Sequence, residues 1–88
     1  MLSEEEKRSA IERLERRRQD DIYENQQRLV KLIEKEGEIY LDRIPTYGKE
    51  FAHRTMLGRI ENLRIMHKAG IDGINERYDE ELKRRGLS

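Results

Sequence analysis

The chain has no cysteine and no tryptophan, a single proline and a single phenylalanine among 88 residues. Without cysteine there is no disulfide framework, no thiol nucleophile and no Cys-based zinc site. Long apolar runs are missing too. Nothing approaches the roughly 18 consecutive apolar residues of a membrane span, and the opening MLSEEEKRSA lacks the apolar centre of a signal peptide. An excess of either charge is also absent, with 19 basic and 19 acidic residues. A net charge of zero neither holds the chain open by repulsion nor supplies a basic field for nucleic acid. Apolar residues make up 34% of the chain and charged ones 43%. Leu, Ile, Val and Phe number 20 of 88, just above the level of a disordered chain. These limits predict one small helical unit, intracellular, soluble or assembly-bound, that completes its core against a partner or itself.

What remains is mostly charged helix. LSEEEKR is a helix-start signature, with Ser3 placed to cap and Glu6 placed to reach back to it. No Pro or Gly follows until Gly37, so the pattern predicts a first helix over about 3–36. Glu4–Arg8, Glu12–Arg16 and Glu24–Arg28 are acid-before-base pairs one turn apart. Its apolar residues are uneven, since ERRRQDD offers nothing to a core. Residues 22–33 are expected to pack, and residues 4–20 to project into solvent or lie along a partner. A heptad frame through Ile22 and Leu29 puts Arg18 and Asn25 at seam positions.

IYLDRIPTYGKEF gathers the proline, the phenylalanine and two of the four tyrosines. Pro45 disfavours helix at Ile44, and Thr46 is a plausible cap. A connector over about 37–46, forming a Pro/Gly corner, is therefore expected. A second helix would follow over about 47–68, broken by AGIDG, and a third over about 72–85, stopped by Gly86. The fold expected is all-α: a long N-terminal helix, a corner and two shorter helices, extended or coiled-coil-like rather than compact. Ile22, Leu29, Leu32, Ile33, Ile60, Leu63, Tyr78 and Leu82 are the apolar contacts it offers, inside the chain or across an interface. Tyr40, Tyr47 and Phe51 would fill the junction and could dock a partner there.

Catalytic constellations are not found. His53 and His67 lie fourteen residues apart on one expected helix, too far to share a metal. The neighbouring carboxylates Asp20–Asp21 and Glu80–Glu81 each have a basic residue within a turn, which keeps them ionised. The glycines stand singly, so no phosphate-cradling loop forms. The expectation is a protein that is not an enzyme and takes no cofactor and no metal. A weaker alternative is a small dimeric DNA-binding regulator, because residues 49–68 faintly resemble half of a helix-turn-helix, with Arg59, Ile60 and Leu63 placed like a recognition helix. Arg54, Arg59 and Arg64 step by five and spiral round the helix instead of lining one side, which argues against nucleic acid. A basic amphipathic helix on a membrane fails for want of a basic face.

The C-terminal segment NERYDEELKRRGLS, through Tyr78, Glu81, Leu82, Gly86 and Leu87, resembles the tails of small helical proteins that line the inside of ciliary doublet microtubules. The resemblance implies a non-catalytic structural role in a cytoskeletal or ciliary assembly. Together the residues predict a structural or interaction protein whose partners are proteins, by self-association or within a larger assembly.

Overall fold

The computed structural model describes residues 2–88 as two helices, α1 (Glu4–Tyr47) and α2 (Lys49–Arg84). They lie antiparallel in a rod 66 × 15 × 10 Å, as long as α1 alone. There is no strand among the described residues.

The expected helix start is present. The Ser3 hydroxyl accepts from the Glu6 amide at 3.1 Å, and the Ser3 amide donates to the Glu6 carboxylate at 3.4 Å. The C-terminal stop at Gly86 is present too. Gly86 turns left-handed at φ 69°, its amide reaches Lys83 O at 3.0 Å, and the Leu87 amide reaches Leu82 O at 2.8 Å. Those paired bonds satisfy carbonyls that the last turn of α2 would otherwise leave open.

The interior boundaries differ from expectation. Residues 37–46 are helical, not a connector, and α1 passes through both Gly37 and Pro45. Pro45 lacks one amide and sits in the last turn, where few further helical bonds remain to be lost. The reversal falls on one residue, Gly48, at φ 84° and ψ 155°. Its amide closes α1 on Ile44 O at 2.9 Å, and its carbonyl receives the Ala52 amide of α2 at 3.0 Å.

AGIDG does not break α2 either, so the expected second and third helices are one. A glycine costs a helix only about 1 kcal/mol relative to alanine. Ile71 and Ile74 are half-buried, and their packing holds the helix through the glycines. At Gly70 the missing side chain is used: a Cβ there would stand 3.2 Å from Asn25 Nδ2. Around Gly58 and Gly73 a Cβ would meet nothing within 4 Å. Gly58→Ala with Gly73→Ala is therefore expected to stabilise the fold by roughly 2 kcal/mol, read as a higher Tm.

Residues 4–20 do not project freely. The returning α2 covers them, and among the described residues Ala10 and Leu14 are two of the three buried apolar ones, with Ala52 the third. The seam repeats every eleven residues rather than seven. Ile11, Ile22, Ile33 and Ile44 all fall on half-buried positions, as do Ile60, Ile71 and Leu82 on α2. Eleven residues make three turns at about 3.67 residues each, close to an undistorted helix, so a heptad frame drifts off this seam.

Candidate protein interface

The seam joining the helices is largely polar. Arg59 Nε donates to Glu36 Oε2 at 2.8 Å, and Glu36 is only 7% exposed. That hydrogen bond, followed by the charge of the carboxylate, raises the Arg59 pKa above its ordinary value. His67 Nδ1 meets Asn25 Oδ1 at 2.7 Å beneath Gly70. Towards the open end, Tyr78 Oη donates to Asp21 Oδ2 at 2.7 Å, and Arg77 reaches the same oxygen at 2.9 Å. The bond to Asp21, with a smaller contribution from burial, pushes the Tyr78 phenol above its usual range. Arg18 donates to Asp79 at 2.8 Å, and the Arg18 and Arg77 guanidiniums flank the Tyr78 ring. Arg18 and Asn25, the two polar residues on the expected seam, are thus cross-helix ligands. These bonds fix the register of the hairpin, because a slip by one turn would strand Glu36 and Asn25.

With the seam set, the two broad sides of the hairpin differ in chemistry. An α-helix turns about 100° per residue, so residues three and four apart share a side. On α1 one row descends from Gln19 to Ile44 through Ile22, Gln26, Val30, Ile33, Gly37 and Leu41 without a charge. On α2 the row on the same side runs through His53, Leu57, Ile60, Ile71 and Asn75, with Arg64 and Lys68 its charged members. Tyr40 and His53, whose rings meet edge-on at 6.2 Å, tie the two rows together near the tip. Val30, Leu41 and Leu57 are 46%, 64% and 52% exposed. The opposite side carries Arg13, Arg17, Asp21, Glu24, Arg28 and Lys35 on α1. It holds an open groove of about 170 Å³ beneath Leu32 and Met66, beside Arg28.

The apolar residues expected to form contacts are divided by this geometry. Ile22, Leu29, Ile33, Tyr40, Ile60, Leu63, Tyr78 and Leu82 are half-buried along the seam or its margins. Leu32, Tyr47 and Phe51 are exposed. Tyr47 and Phe51 pair at 5.5 Å across the Gly48 turn, covering each other rather than a core. Not among the expected contacts were Ala10, Leu14, Glu36 and Ala52, the four buried residues among those described, nor the exposed Val30, Leu41 and Leu57. The eleven-residue spacing of the isoleucines was the signal that would have found the seam.

Residues 49–68, the segment resembling half of a helix-turn-helix, run through α2 without a turn, and Arg59 faces Glu36. Among the described residues no three His, Asp or Glu side chains are grouped to hold a metal ion, and no helix is long and apolar enough to cross a membrane.

No protein-family model, no curated protein and no solved structure matches the chain.

Proposed function

We propose that the chain is a non-catalytic interaction protein, a short helical rod that docks against helices of other protein chains in a larger assembly. The observation that carries this reading is the charge-poor side. In a chain that is 43% charged, a row of eight helix positions from Gln19 to Ile44 holds no charge, and its partner row on α2 holds two, both basic. A two-helix layer has no second layer to bury such a side, and stable helical architectures supply one. Helix-in-groove recognition reads the same spacing of anchors, with Val30, Ile33, Leu41 and Ile44 as the anchors here. The tail resemblance of residues 75–88 suggests a cytoskeletal or ciliary setting for that assembly, in which a rod 66 Å long would lie along its neighbours.

A photo-crosslinking amino acid at Leu41, compared with one at Lys35 on the opposite, charged side, tests the reading in the source cell. Protein crosslinks at least several-fold more abundant from 41 than from 35 are expected. Equal yields from both positions would remove the docking side. Retention of the chain by duplex DNA at low salt, lost on Arg64→Ala, would favour a nucleic-acid partner instead.

A further inference from the structure

The side poor in charge invites the question of what covers it, and three features of the chain answer in favour of a second copy of itself. We infer that two hairpins pack face to face through the row containing Val30 and Leu41 to make a four-helix bundle. This inference rests on the docking reading above and names the partner.

Area is the first argument. The chain exposes 7141 Å² at a mass of 10.6 kDa. A compact monomer of that mass exposes about 5,500 Å², so the excess is roughly 1,700 Å². If each of two copies hid that excess, the interface would total roughly 3,400 Å², within the range of obligate homodimers. A transient encounter with an unrelated surface needs far less.

Charge is the second argument. With 19 charges of each sign, two copies approach without net repulsion. Glu34 and Glu38 border the α1 row, while Arg64 and Lys68 lie in the α2 row and Glu61 stands at its margin. Leu32 and Leu63 line one groove, which puts Glu34 and Arg64 within one helical turn of the same height, about 4.5 Å apart along the rod. A two-fold axis along the rod would bring α1 of one copy against α2 of the other. Glu34 of each copy then lies within one turn of Arg64 of the other, twice, in reach of a long guanidinium side chain.

The third argument is where the exposed apolar residues lie. Val30, Leu41 and Leu57 are exposed in the part of the rod nearer the turn. The open end has its own closure in Leu14, the Arg18–Asp79 pair and the Asp21 cluster. The turn-proximal part of this side lacks such closure, and a second copy supplies the same eleven-residue spacing to interlock with it.

Sedimentation equilibrium of the full chain, over a concentration series with circular dichroism on the same samples, tests the inference. A mass of twice 10.6 kDa is expected for the native chain. Val30→Glu with Leu41→Glu should weaken dimerisation at least tenfold. Both side chains are exposed, so the hairpin itself keeps its helix. Glu34→Arg alone and Arg64→Glu alone should each weaken the dimer, and the two together should restore it. A helical native chain that sediments at 10.6 kDa throughout would overturn the inference. A dimer indifferent to the Val30 and Leu41 changes would also overturn it. If that monomer still crosslinks to a different protein from position 41, the docking reading stands and the second copy alone is lost.

Discussion

Gly48→Ala is expected to open the hairpin into one continuous helix. Gly48 holds φ 84° with ψ 155°, a region that residues with a Cβ almost never occupy. A Cβ at this position would meet no atom within 4 Å, so the whole penalty lies in the backbone. Strain of this kind costs on the order of 1–3 kcal/mol. The alternative gains as well, because alanine is favoured over glycine in a helix by about 1 kcal/mol. Against this stand, among the described residues, three buried apolar side chains and a handful of cross-helix polar bonds. X-ray scattering should therefore show the longest dimension rising from 66 Å to on the order of 120 Å, with helix content unchanged. D-Alanine at position 48, introduced by synthesis, adopts positive φ readily and should keep the hairpin. A Gly48→Ala chain that stays near 66 Å would show that the seam outweighs the turn.

Arg59→Met is the substitution expected to cost most within the seam. It leaves the carboxylate of Glu36, 7% exposed, without its one cross-helix donor. An unsatisfied buried polar group costs about 1–3 kcal/mol, more when charged. Arg59 is itself about half exposed, and water reaching the gap keeps the loss below the 3–5 kcal/mol of a fully buried broken pair. Glu36→Leu with Arg59→Leu should recover most of that loss, since neither partner is then left alone. Arg54→Met gives the comparison. Its pair with Glu50 is exposed and 3.9 Å long, and its removal should cost no more than about 0.5 kcal/mol. Urea unfolding of the four chains measures the series. An Arg59→Met loss no larger than that of Arg54→Met would mean that the Glu36 bond does not hold the seam.

The helical class, the capped start at Ser3 and the stop at Gly86 were legible in the sequence because each depends on a few neighbouring residues. The middle of the chain was not. Local preference says that Pro45, Gly70 and Gly73 interrupt helices, each by a modest amount of free energy. Burial along a shared seam, visible only once the chain has doubled back, overrides them at Ile44, Ile71 and Ile74. The same doubling back decides the fate of residues 4–20, whose Ala10 and Leu14 find cover fully sixty residues along the chain. Polar seam positions were a further obstacle. Asn25 and Arg18 look like faults in a heptad until His67 and Asp79 are placed beside them. Of the interface, the half-buried members were visible as apolar residues at helical spacing. Val30 and Leu41 were not, because their role comes from the absence of charge around them over eight helix positions.

The central claim is that one side of this rod is covered in use and the other is wet. Proton relaxation by a soluble paramagnetic probe, read residue by residue on the full chain at the concentration where it associates, measures this directly. The account predicts that Tyr23, Val30, Leu41 and Leu57 are shielded, while Arg54, Glu61 and Asp72 on the outer side of α2 relax as exposed groups. Equal relaxation on both sides would contradict it.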